Sequence, residues 1–295
     1  MSDQRLSAIR EKGVLTFWGV RGSIPTPGKN TVVHGGNTSC VSIEYHDHII
    51  ILDAGSGIRK LGLEIQSREI DESPKNGHIF ITHYHWDHIQ GLPFFSAAFD
   101  PAKRFQICGE PRDAMSLERI LNEQMHVPFF PVSMDNVFAA DIDFAPLECG
   151  QQFLINSQVP ITLTPFRAFH PNMAFGFLLS LNGYRIAYLP DNELDDSLDQ
   201  RGLHQILQDV DILIHDAQFS REEIKNGKRG WGHSAFEDVA ELARKVNCKR
   251  LFLFHHDPEA DDSMLEERQL VAQDIFPNAM MAHEGLYVPL LIDPA

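Results

Sequence analysis

Positive charge is what this chain has least of. Against 41 aspartates and glutamates it carries 25 lysines and arginines, for a formal net charge of −16 at pH 7. The cations are nowhere bunched; the densest local set is Lys225, Lys228 and Arg229. Such a surface repels the backbone of a long nucleic acid unless a local basic stripe overrides it, so a large RNA or DNA partner is disfavoured. Cysteine is scarce in absolute number, with four residues. Cys40, Cys108, Cys149 and Cys248 form no Cys-x-x-Cys pair, and most lie in apolar or strand-like surroundings, the habit of free buried thiols in a reducing compartment. No apolar run approaches the ~18 residues that span a bilayer. Residues 1–12 are polar and charged, without the apolar centre of a secretory signal. The expectation is a cytoplasmic protein with no membrane association. No repeat of 20–50 residues or low-complexity tract stands out.

What the chain does have is a dense cluster of metal donors. Thr82-His83-Tyr84-His85-Trp86-Asp87-His88 follows the apolar run His78-Ile79-Phe80-Ile81. Imidazole and carboxylate together suit zinc, iron or manganese. Alternate residues leaving a strand point the same way, so His83 and His85 share one side. Asp87 and His88 fall on the following turn and reach a neighbouring point. That geometry suggests two adjacent metals rather than one.

The 295 residues are 43% hydrophobic and 22% charged, ordinary for a globular protein of one large domain or two small ones. Strands are expected at 14–20, 39–45 and 48–52, the last two as a hairpin, with a helix from about Gly57. After the metal cluster, 89–99 begins helically and is interrupted by Pro93. A strand at 104–108, a helix over 111–125 and an irregular aromatic stretch over 129–150 follow. Strands are expected at 159–165, 174–181 and 184–189, with Asn182-Gly183 a strong hairpin turn. The remainder alternates: helix 198–207, strand 210–215, helix 234–246, strand 249–254, helix 263–275 and strand 286–292. Ser234 with Glu237 reads as a capping box. This order of elements fits several α/β layouts equally.

The cluster resembles the His-x-His-x-Asp-His signature of the metallo-β-lactamase superfamily of hydrolases. The resemblance implies a single domain over 1–295 with a four-layer αββα sandwich, of the α/β (α+β) class. It also implies seven ligands for two divalent cations. Four are His83, His85, Asp87 and His88. His170 in Phe169-His170-Pro171 matches the third motif, Asp191 in Tyr188-Leu189-Pro190-Asp191 the bridging carboxylate, and His255 at the end of Leu251–Phe254 the last ligand. The implied assignment puts His83, His85 and His170 on the first metal, Asp87, His88 and His255 on the second, and Asp191 across both. A carboxylate can bridge because it has two oxygens; a neutral imidazole cannot. His256 competes with His255 for the last place, and the family register favours His255. Zinc is the first choice of metal, though these donors accept manganese and iron alike.

Within the superfamily, the β-lactamases commonly place a cysteine in the second site, and none lies at a matching position here. The di-iron oxidoreductases carry glutamate where this chain has His85. Trp231-Gly232-His233-Ser234, preceded by Asp211-Ile212-Leu213-Ile214-His215-Asp216-Ala217, is instead similar to segments of ribonuclease Z and its phosphodiesterase relatives. Phe17-Trp18-Gly19-Val20-Arg21-Gly22-Ser23-Ile24-Pro25-Thr26-Pro27, Gly35-Gly36-Asn37-Thr38-Ser39-Cys40 and Leu52-Asp53-Ala54-Gly55 are similar to its opening segments. By that resemblance His233 is a candidate phosphate ligand or general acid, and Asp53 orients the cluster by hydrogen bonds. For His215 a buried structural role weighs at least as much. The Gly-rich loop is as much a turn as a phosphate contact. Ribonuclease Z inserts a tRNA-gripping arm between the third and fourth metal motifs; here His170 to Asp191 holds only a hairpin.

The implied function is a phosphodiesterase acting on a small anionic phosphodiester, a cyclic nucleotide or similar. Two cations would lower the pKa of a bridging water so that hydroxide is present near neutral pH. His233 would serve the substrate's leaving oxygen, and Asp87 could also handle a proton. The rivals are a thioesterase or lactonase on the same metal centre, and a non-enzymatic metal-binding sensor. Oligomeric state is left open, a homo-oligomer included. Among the intervening aromatics, Phe94, Phe95, Phe99, Phe129, Phe130, Phe138 and Phe144, most are expected in the core.

Overall fold

Apolar runs become strands where they alternate or continue unbroken. The computed structural model describes residues 13–46, 48–68, 73–156, 160–194 and 201–292. Its strands are β1 (Val14–Gly19), β2 (Cys40–Tyr45), β3 (His48–Leu52), β4 (Asn76–Phe80), β5 (Arg104–Gly109), β6 (Asp141–Pro146), β7 (Phe153–Asn156), β8 (Ile161–Ala168), β9 (Ala174–Leu181), β10 (Tyr184–Leu189), β11 (Ile212–Asp216), β12 (Arg250–Phe254), β13 (Ala279–Met281) and β14 (Tyr287–Pro289). Contacts gather into two compact units. The first comprises the described parts of 1–19, 37–148 and 284–291, the second those of 20–36, 149–283 and 292–295.

The first unit holds a mixed sheet in the order β14-β1-β2-β3-β4-β5-β6. β14, β1, β2 and β3 pair antiparallel; β3 to β6 pair parallel. A parallel pair needs a crossover, and the helix Ile58–Ser67 supplies the one between β3 and β4. It turns Ile58, Leu61 and Ile65 into a core with Ile49, Ile51 and Ile79. Parallel strands are covered on both faces and so read as continuous apolar runs, as Ile49-Ile50-Ile51-Leu52 does, fully buried.

The second unit repeats the scheme with the order β13-β12-β11-β10-β9-β8-β7. β7 to β10 form an antiparallel meander, and β10 to β13 are parallel. Asn182 and Gly183, at φ 49° and 85°, make the β9–β10 turn that their sequence announces. Helices Phe236–Lys245 and Asp262–Ile275 are the crossovers around β12. The first buries Phe236, Val239, Ala240, Leu242 and Ala243 in a core with Leu213, Leu251 and Leu253. Among the described residues no helix is long and apolar enough to cross a membrane. Cys40, Cys108 and Cys248 are buried free thiols and Cys149 is exposed.

Several expectations are corrected. The helix expected over 111–125 is confined to Leu117–Glu123, because Asp113 and Ala114 adopt left-handed backbone (φ 50° and 61°) and Ser116 caps the later start. The stretch 129–150 contains a short helix, Met134–Val137, and β6. β7 and β13 were not legible, and the last strand shrinks to β14. Of the helix expected over 198–207, Arg201–Leu207 is seen and 198–200 lie outside the described residues, as does Val159 before β8. Ser234 does not cap the helix 236–245: its Oγ donates to the Asn192 carbonyl (2.5 Å) and accepts from Leu194 N (3.0 Å). A capping box forms instead at Ser220 and Glu223. The expectation for the seven phenylalanines holds for most of them: Phe95 is fully buried and Phe130, Phe138 and Phe144 are half-buried against the same core, while Phe94, Phe99 and Phe129 are exposed.

These differences set the stability expected at each position. Phe95 packs edge-on to Phe105 at 5.0 Å between centroids, so Phe95→Ala should cost about 3–5 kcal/mol in urea unfolding. Phe129→Ala, at a ring 83% exposed, should change stability by under about 0.5 kcal/mol. Burial also pushes His78 down to about 4 and lowers His215. Their folded pKa values lie below the unfolded value, so the unfolded chain binds more protons below pH ~6.5. The metal-free protein should therefore lose stability as pH falls from about 6.5 towards 4, and His78→Gln should flatten that slope in urea titrations at pH 7.5 and 5.

Candidate metal centre

In the first unit the donors leave the C-terminal ends of parallel strands, where α/β sheets commonly bind ligands. β3 leads to Asp53, and β4 to Thr82 and His83. Asp53 is fully buried with left-handed backbone (φ 61°). Its carboxylate accepts hydrogen bonds from Thr82 N (2.8 Å), Thr82 Oγ1 (3.0 Å) and His88 Nδ1 (2.8 Å). A donating Nδ1 fixes the tautomer whose lone pair is on Nε2. Nε2 of His88 lies 3.3 Å from Asp87 Oδ2. The His83 ring lies 4.4 Å from that of His85 and 4.3 Å from that of His88. His83, Asp87 and His88 are buried and His85 is half-buried. The sequence cluster is thus drawn together, with Asp53 orienting it as expected.

In the second unit Asp191, just beyond β10, is buried between two imidazoles. Its Oδ2 lies 3.5 Å from His170 Nε2 and its Oδ1 3.1 Å from His255 Nε2. Each oxygen therefore faces a different histidine. His170 Nδ1 meets the Gly232 carbonyl at 3.0 Å, which directs Nε2 at Asp191. Burial, opposed by the Asp191 charge, holds the His170 pKa below its ordinary value and favours the neutral, ligating form. His233 stacks on His255 at 5.0 Å and 21°; one ligand atom each from Asp191, His233 and His255 lies within 4.8 Å of the others. His256 is turned away: its Nε2 meets the Ala282 carbonyl at 2.8 Å. His215 is fully buried with Nδ1 on the Asp216 carbonyl at 2.7 Å, a structural placement.

Three contributors were not legible in the sequence. Asp216, at the end of β11, holds His233 Nδ1 at 2.6 Å and accepts from the backbone N of Asn192 and Gln218; only its place beside His215 at a strand end hinted at this. Gly22 lies against the His255 ring, where a Cβ would fall 2.6 Å from ring atoms. The Gly-rich loop thus backs the His255 ring and is hydrogen-bonded to the following residue, with Gly22 N donating to His256 O and His256 N to Val20 O. Arg21, fully buried, ties the same loop to the carbonyls of Gly35, Asp257 and Ala260.

Nitrogen and oxygen donors dominate both clusters, with no thiolate among them, and the buried carboxylates face imidazoles. That chemistry fits a divalent cation of borderline or hard character. Residues 48–256 match the family profile described as the beta-lactamase superfamily domain. The chain belongs to that superfamily. A ribonuclease Z of Picrophilus torridus is 26% identical over 310 aligned positions, covering 92% of this chain and 94% of the relative. A diphosphatase from the PhnP family superposes with a TM-score of 0.68 at 18% identity, over 94% of this chain and 98% of its own. The Zn(2+)-bound PqqB of Methylobacterium extorquens superposes equally, at 0.68 and 16% identity, over 94% and 100%. The expected metallo-β-lactamase fold is the one these structures share with this chain, and superfamily membership together with the donor set makes it a metal-dependent hydrolase.

The Asp53 carboxylate supports the donors without belonging to the assigned ligands. Asp53→Asn should weaken metal affinity by roughly 10- to 100-fold, measured by competition with a chromogenic chelator, while the circular dichroism spectrum is retained.

Proposed function

We propose that this superfamily member is a phosphodiesterase for a small anionic phosphodiester, a cyclic nucleotide or similar, working with two divalent cations, zinc first among them. His83, His85 and His170 would hold one ion, Asp87, His88 and His255 the other, and Asp191 both, so that residues 1–295 act as one catalytic domain. The observation that carries the reading is the Asp216–His233–His255 arrangement, an imidazole fixed by a buried carboxylate and laid beside Asp191. When bound, the cations supply Lewis acidity, acidifying water and neutralising phosphoryl charge. His233, its Nδ1 held on Asp216, turns Nε2 to the substrate and donates a proton to the leaving oxygen. Asp216 steadies the charged ring, and Asp87 is a further proton acceptor.

Substrate size follows from charge and shape. The net charge of −16 opposes a long polyanion, and the 170–191 interval is filled by the β9–β10 hairpin. An RNA substrate is the second reading, favoured by the name of the Picrophilus torridus relative. A cytoplasmic setting is supported by three buried free thiols.

The test is a panel of bis-p-nitrophenyl phosphate, cyclic nucleotides, dinucleotides, short RNAs, a thioester and a lactone. His233→Ala should lower diester kcat by roughly 10²–10⁴-fold with metal content unchanged by atomic absorption. Turnover confined to the thioester or lactone would support the carbonyl-hydrolase rival, and metal binding without turnover on any ester the sensor. Loss of one metal equivalent in His233→Ala would make it a ligand.

A further inference from the structure

The loop that delivers His233 has features the chemistry of His233 does not require. Gly230 N and Gly232 N both donate to one carboxylate, Glu193, at 2.8 and 2.9 Å. Glu193 is itself buried at 8% exposure. Both glycines adopt left-handed backbone, at φ 82° and 88°, and Gly232 lies so close to His170 that a Cβ would fall 2.2 Å from Nδ1. Trp231 is thus pinned on both sides by a single buried side chain. Its indole is nonetheless 55% exposed. A large aromatic left in water on a backbone fixed at both neighbouring residues offers a surface to a partner, because part of the ordering cost of binding has been met in advance.

The surroundings of that indole say what the partner is. Lys228 Nζ sits 3.9 Å over the Trp231 ring and 5.1 Å over Phe219. Phe219, buried, packs edge-on to both Trp231 and His233, at 6.3 and 5.9 Å between centroids. The stacking surface and the proton-donating imidazole therefore share one wall. Lys225, Lys228 and Arg229 lie on the short helical segment and its end that lead into this loop.

We propose that Trp231 and Lys228 form a subsite for a flat π-system carried by the phosphoester, of the nucleobase type, with Glu193 as the residue that positions the loop. The base stacks on the exposed indole, and the ammonium adds attraction to the anionic end. Stacking on an aromatic side chain tolerates any base, so the subsite selects nucleotides as a class rather than one base. This rests on the phosphodiesterase reading, because the phosphate is what His233 serves.

Two measurements on the full chain test it. By calorimetry, wild-type protein should bind AMP at least ~10-fold more tightly than ribose 5-phosphate. Trp231→Ala should bring the two together, Trp231→Phe should keep most of the preference, and Lys228→Ala should weaken the binding of both ligands alike. In turnover, the ratio of kcat/KM for thymidine 5′-p-nitrophenyl phosphate over methyl p-nitrophenyl phosphate should fall about tenfold in Trp231→Ala. No preference in wild type, an undiminished preference in Trp231→Ala, or an equal loss on both esters would overturn the subsite. If wild type cleaves neither ester, the phosphodiesterase reading fails and the AMP ratio alone decides the subsite.

Discussion

The structure turns on burying carboxylates among imidazoles. Asp53, Asp87, Asp191 and Asp216 are all buried, and an ionised carboxylate is tolerated there only when it is paired, hydrogen-bonded or bound to metal. Their neighbours are histidines: Asp53 on His88, Asp191 between His170 and His255, Asp216 on His233. Each pairing decides which ring nitrogen is left to work. Asp53 and the Gly232 carbonyl turn Nε2 of His88 and His170 towards carboxylate oxygens, and Asp216 does the same service for His233. Geometry and charge are therefore one constraint, and replacing a carboxylate disturbs both.

The sheets make that constraint affordable. In each unit an antiparallel meander runs into parallel strands, and most of the candidate site residues follow the parallel part at its C-terminal ends, His170 after the antiparallel β8 being an exception. Strands of Ile, Leu and Phe, covered by crossover helices, hold those ends rigidly. The loops need only short excursions to present Asp53, His83, Asp191, Asp216 and His255. A short helix carries Asp87 and His88 onward from β4, which is how six sequence positions yield donors in more than one direction.

Much of this was legible in the sequence because its signals were local. The run His83 to His88 announces itself, Asn182-Gly183 gives its own turn, and the buried parallel strands read as apolar runs. His170, Asp191 and His255 could be picked only by resemblance, since a lone histidine or aspartate after a strand carries no mark of its own. Asp216 and Glu193 were missed because their roles depend on residues tens of positions away. Ser234 misled for the same reason: the Ser-x-x-Glu pattern is local, but its hydroxyl is drawn off by the Asn192 and Leu194 backbone. Of the seven phenylalanines named between 94 and 144, most pack in or against the core as aromatic residues usually do, and composition could not single out the exposed Phe94, Phe99 and Phe129.

Asp53 and His255 share a less obvious property, a left-handed backbone (φ 61° and 59°) that glycine adopts most easily and that aspartate and histidine adopt more readily than most other residues. Backbone preference alone would favour glycine at both positions, and glycine would discard a supporting carboxylate and a donor imidazole. A side chain at each place sets local chemistry above backbone ease.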